Sequence, residues 1–120
     1  MMKKIAFSMY PVIDMNRARK FYENILGIEF HKSSGNERWF EYDLLEGGCF
    51  ALTTLSQNKP SVNSGGVIAF EVDDLITLIE KLKTNNVEIL AENIESPVCR
   101  MCIIKDTEGN SIILHKLKEK

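Results

Sequence analysis

The chain states one structural phrase twice, about sixty residues apart. Residues 5–30 read as strand, acid-capped helix, turn and strand, and residues 66–90 repeat that order. The helix-starting acids are Asp14 and Asp74, and the helix-ending residues are Gly27 and Asn86. A duplicated unit of this size predicts two related modules about a pseudo-twofold axis, with a ligand cleft near that axis.

The grammar of each copy follows from local chemistry. Residues 5–12 predict a strand, with Pro11 near its end, where a missing N–H is tolerated. Asp14 is suited to accept from the first backbone N–H groups of a helix. Ala18, Phe21, Tyr22, Ile25 and Leu26 fall at helical spacing, and Gly27 supplies the left-handed residue that closes it. A strand follows over 28–32. Strands over 38–45 and 49–54 then form a hairpin around Glu46-Gly47-Gly48. The second copy runs as strand 67–72, helix 75–83 with Leu75, Leu78, Ile79 and Leu82 on one face, and strands 87–92, 98–105 and 111–117. Each half is βαβββ. The expected class is α+β: two βαβββ modules forming curved mixed sheets around a cleft, with the helices on the outside. We assign 1–120 to a single domain, with module one at 1–55, a polar linker at 56–65 and module two at 66–120.

Composition narrows the partners. Fifteen Lys and Arg residues against 17 Asp and Glu give a net charge of −2, which argues against a nucleic-acid or polybasic membrane surface. No apolar run approaches the ~20 residues of a membrane helix. A signal-type hydrophobic segment is missing from the N-terminus, so the expected location is cytoplasmic. Three cysteines fit reduced thiols better than a disulfide framework.

The stretches YPVIDMNRARKFYENILGIEF, FEVDDLITLIEKL and IIKDTEGNSIILHK resemble the vicinal-oxygen-chelate superfamily of glyoxalases, extradiol dioxygenases, fosfomycin-resistance enzymes and bleomycin-resistance proteins. The resemblance spans nearly the whole chain, through Asp14, Ala18, Phe21, Tyr22, Leu26, Gly27 and the Asp106, Gly109, Asn110 turn. It implies the fold, and a homodimer as is common in the family. It is silent on the reaction, because this fold hosts several chemistries. In metal-dependent members it also implies four ligand positions. In this chain they fall on Phe7, Val67, Ala51 and Ile113. All four are apolar and offer a metal no lone pair, so the expected cofactor is none.

Strand alternation widens the expected lining. Phe7 brings Ile5 and Met9, Ala51 brings Cys49 and Thr53, Val67 brings Ala69 and Glu71, and Ile113 brings Ser111 and His115. A two-residue hairpin loop places Phe40, Tyr42 and Leu44 beside Ala51, whereas a three-residue loop places Trp39, Glu41 and Asp43 there. The substrate-binding set is Phe7, Met9, Phe40, Tyr42, Ala51, Val67, Arg100, Ile113 and His115. Arg100 needs a carboxylate such as Glu41 or Asp43, or else an anionic ligand. His115 and Glu71 are the candidate acid–base groups, and together with Cys49 they form a conceivable atypical metal-ligand set. Trp39 and Tyr10 are candidates for stacking on a planar ligand. Cys99 and Cys102 have C-x-x-C spacing but lie in a predicted strand, on opposite faces. The turn at 106–110 lacks the sequence of a phosphate loop.

Three functions follow as expectations. The first is a metal-free binder of a small molecule with an apolar or aromatic part. The second is a metal-independent or atypical-metal isomerase or lyase using His115 and Glu71. The third is an interaction module without a pocket.

Overall fold

Both helices begin where an aspartate can cap them. In the computed structural model, which describes residues 1–119, Asp14 Oδ1 accepts from the Arg17 N–H at 3.0 Å. Asp74 Oδ1 accepts from the Thr77 N–H at the same distance. Helix α1 spans Met15–Arg19 and helix α2 spans Leu75–Thr84. Gly27 and Asn86 both take left-handed φ, at 73° and 58°, and end their helical segments as expected. The first helix departs from α geometry, however. Lys20–Ile25 form a π-helical segment, closed by the Leu26 N–H donating to Phe21 O at 3.0 Å, an i→i+5 bond.

Two compact units result, dividing at Pro60 and Ser61, inside the expected linker. The first contains β1 (Ser8–Pro11), α1, β2 (Phe30–Ser34), β3 (Trp39–Asp43) and β4 (Cys49–Thr53) in a four-stranded sheet ordered β1-β4-β3-β2. Strand β1 runs parallel to β4, and the other pairs are antiparallel. The second contains β5 (Ile68–Glu71), α2, β6 (Ile89–Glu95), β7 (Cys99–Lys105) and β8 (Ser111–Leu117), ordered β5-β8-β7-β6. Here β5 is the parallel partner of β8. The identical strand order is the duplication made structural, and the class is α+β with two mixed sheets.

Each sheet buries one face. In the first unit, Phe40, Tyr42, Phe50 and Leu52 are buried with Ala18, Phe21 and Tyr22 of the helical segment. Tyr42 stacks on Phe50 with ring centroids 5.0 Å apart, and Tyr22 packs on Phe50 at 5.6 Å. In the second, Phe70, Cys102, Ile104, Ile112 and Leu114 are buried, as are Leu75, Ile79 and Leu82 of α2. The turn before β8 is fixed by one carboxylate. Asp106 Oδ1 accepts from the N–H groups of Glu108, Gly109 and Asn110, each at 2.8 Å.

Two strand starts are shorter than expected. Strand β1 begins at Ser8 and β5 at Ile68, so Phe7 and Val67 precede their strands. Among the described residues, no helix is long and apolar enough to cross a membrane.

Candidate functional site

The face of each sheet opposite its helix carries the candidate residues, and hairpin register decides which ones. Glu41 pairs with Ala51, Trp39 with Thr53 and Asp43 with Cys49. Leu44 and Gly48 extend the ladder through the Leu44 N–H to Gly48 O bond of 3.0 Å, leaving the three-residue loop Leu45-Glu46-Gly47. Gly47 and Gly48 take φ of 113° and 96°, and that backbone is what the loop requires. Directly paired residues share a face, so Trp39, Glu41 and Asp43 lie with Ala51.

The placement of Phe40 and Tyr42 in the binding set is therefore corrected. They lie on the helix side, because the three-residue loop inverts the parity that a two-residue loop would give. Their neighbours there are structural. The Arg19 guanidinium sits 4.3 Å from the Phe40 ring centroid and 4.9 Å from that of Phe30. Arg19 Nε also pairs with Glu23 Oε2 at 2.7 Å, and the Tyr42 hydroxyl donates to that same oxygen at 2.8 Å. Burial first, then the hydrogen bond to Glu23, raises the Tyr42 phenol well above its ordinary value. Tyr10 is also buried, beside Leu52 on the helix side, and offers no stacking surface.

The open face of the first unit is aromatic at one end and acidic at the other. Met9 pairs with Ala51 from the β1 side. Phe7, 47% exposed, meets the Trp39 ring edge-on at 5.3 Å. The Trp39 indole N–H donates to Glu41 Oε1 at 2.8 Å, and Lys32 Nζ lies 3.7 Å from Glu41 Oε2. Ala51 itself is fully buried. Burial, reinforced by Glu41 and Asp43, raises the Cys49 thiol, so this is not an activated thiolate.

On the second unit's open face, Ala69 pairs with Ile113 and Glu71 with His115. Strand β7 adds Ile103 beside Ile113 and Met101 beside His115. These β7 neighbours escape a reading based on local motifs, because they are joined only through register. His115 Nδ1 lies 2.5 Å from Glu71 Oε1, while Glu71 Oε2 accepts from the Leu117 N–H at 2.8 Å. Desolvation pushes the Glu71 carboxyl upwards. The hydrogen bonds from Leu117 and His115, with the charges of His115 and Lys116, outweigh it and hold the carboxyl below its ordinary value.

Arg100 is the second correction. It pairs in register with Lys116 and shares parity with the buried Cys102, so it lies on the helix side, away from Ile113 and His115. Its partner is Glu95, at 3.5 Å, and neither Glu41 nor Asp43. Glu95 also binds Lys118 Nζ at 3.0 Å, which makes the cluster a surface ion-pair network. Cys99 and Cys102 occupy opposite faces of β7, as alternation requires.

The divalent metal that the resemblance implies does not fit the residues present. Phe7, Ala51, Val67 and Ile113 end in carbon, and the Phe7 ring is already packed on Trp39. Among the described residues, no group of three or more His, Cys, Asp or Glu side chains is placed to hold a metal ion.

Comparison with known proteins agrees with the two βαβββ units. The Glyoxalase/Bleomycin resistance protein/Dioxygenase superfamily matches residues 4–114, and the chain belongs to that superfamily. No curated protein sequence matches. A glyoxalase/dioxygenase from Nostoc punctiforme superposes with a TM-score of 0.80 at 18% identity, covering 98% of this chain and 92% of that one. TnmS3, an antibiotic binding protein from Streptomyces sp. CB03234, gives 0.78 at 19%, covering 98% and 100%. The fosfomycin resistance protein FosX from Listeria monocytogenes gives 0.76 at 19%, covering 97% and 94%. At such identities the likeness is one of fold.

Proposed function

We propose that this chain is a metal-free small-molecule-binding protein whose ligand has an apolar or aromatic part. The observation that carries the reading is the chemistry of four positions. Phe7, Ala51, Val67 and Ile113 stand where metal-dependent relatives are expected to hold imidazole or carboxylate ligands. Apolar walls with a few polar groups are the usual make-up of a small-molecule site. Here Phe7, Met9 and Trp39 supply apolar and aromatic surface on the first unit, and Ile113, Met101 and Ile103 on the second. An antibiotic binding protein among the similar folds supports binding without chemistry as a use of this architecture. The working form in this reading is a homodimer.

The test is direct. Protein purified under native conditions and dialysed is expected to carry no stoichiometric divalent metal by elemental analysis. It is also expected to gain thermal stability from members of an aromatic small-molecule panel. Native mass spectrometry of the same preparation is expected to report two chains. One tightly held metal per chain would overturn the reading.

A second reading has one observation in its favour. The short contact between His115 and Glu71 is the geometry of an acid–base pair, and it suits a metal-independent isomerase or lyase. Replacement of both residues without loss of a detected activity eliminates it.

A further inference from the structure

Glu71 and His115 stand directly opposite each other in the parallel β5–β8 pairing. The Glu71 carboxylate is held at both oxygens, by His115 Nδ1 and by the Leu117 backbone N–H. An ionised carboxylate only accepts, so the shared proton belongs on Nδ1. A neutral imidazole with its proton on Nδ1 carries its lone pair on Nε2. His115 has no bond from Nε2 among the described residues. Among the described residues no buried side-chain nitrogen or oxygen lacks a partner, so Nε2 reaches the surface. The side chain is 26% exposed, enough for contact without free rotation. Its register neighbours Met101 and, two residues along β8, Ile113 are apolar and half-buried.

We propose that the Glu71–His115 pair is a preset anchor, which presents His115 Nε2 as an acceptor to a hydroxyl or N–H donor on an otherwise apolar ligand. The proposal rests on the small-molecule-binding reading and adds the polar group that such a ligand carries. Glu71 is a positioning residue, since it fixes the tautomer and ring orientation, and His115 makes the contact. The arrangement favours a phenol, enol or aromatic N–H over its methylated counterpart. A donor-lacking ligand would leave the acceptor unpaired as the site is desolvated.

The test has two arms. Long-range proton–nitrogen correlation of 15N-labelled protein at mildly alkaline pH reads the tautomer of each of the two histidines, with His31→Asn assigning them. His115 is expected to carry its proton on Nδ1. Glu71→Leu, which removes the acceptor, is expected to move it to Nε2. A wild-type His115 protonated on Nε2 overturns the anchor whatever ligands do. The second arm titrates 2-naphthol against 2-methoxynaphthalene. The naphthol is expected to bind about tenfold more tightly, the value of one net hydrogen bond. In His115→Leu that ratio is expected to fall to about one. Equal affinities in wild type overturn the anchor and leave apolar binding standing. Binding of neither compound overturns both.

Discussion

Single side chains settle what each sheet face is for. Tyr42 is the clearest case, because its aromatic type suits a ligand wall equally well. Its hydroxyl is spent on Glu23, and Glu23 is shared with Arg19. Tyr42→Phe removes one hydrogen bond from a buried network and is expected to cost about 1 kcal/mol in denaturant unfolding. Linkage fixes the sign of its pH effect. The phenol is raised in the folded state, so its contribution is complete below the ordinary tyrosine value. That contribution is lost as the pH climbs above that value towards the folded-state one. Ultraviolet titration is expected to show tyrosine ionisation well above the ordinary range, with one equivalent fewer there in Tyr42→Phe. A Tyr42→Phe curve that instead loses its equivalent from the ordinary tyrosine range would contradict a buried, Glu23-bonded phenol.

Helices and hairpins carry the duplication. Asp14 and Asp74 cap equivalent helices from equivalent positions, and Thr77 adds a hydroxyl bond to Asp74 at 2.7 Å. Asp14→Ala is expected to cost about 1 kcal/mol, the usual value of a lost N-cap, with Asp74→Ala destabilising in the same direction. Gly27→Ala meets no atom within 4 Å, so its expected cost, also about 1 kcal/mol, is backbone strain at positive φ alone. Urea unfolding curves check all three, and an Asp14→Ala protein as stable as wild type would remove the cap from the account. The π-helical segment at Lys20–Ile25 has no counterpart in α2, so the copies share a frame and differ in one helical turn.

Over the whole molecule, the lowered carboxyls act together. Glu71, Asp74 and Glu95 are all held below their ordinary values. For Glu71 desolvation opposes a larger set of hydrogen bonds, for Asp74 the Thr77 N–H leads, and for Glu95 the Lys118 ammonium leads. A depressed carboxyl stabilises the fold above its unfolded value, and that share is lost as the pH falls through the folded value. Stability is therefore expected to decline on acidification below the ordinary carboxylate range. Glu71→Gln and Glu95→Gln are each expected to flatten that decline, as read from thermal midpoints across the acid range. An unchanged slope in the double variant would show that neither pair survives in solution. The two helices, their caps and terminators, the succession of a repeated βαβββ and the apolar character of four implied ligand positions were all legible in the sequence. Each depends on contacts between residues close along the chain or on residue type alone. The face that Phe40 and Tyr42 occupy, the Glu95 partner of Arg100 and the tie from Leu117 to Glu71 were not legible. They depend on a one-residue loop register and on pairing between strands up to 46 positions apart in sequence. The chain by itself determined which elements form and what chemistry its side chains offer. Tertiary structure alone decided which side chains share a face, because strand pairing converts one residue of register into opposite sides of a sheet.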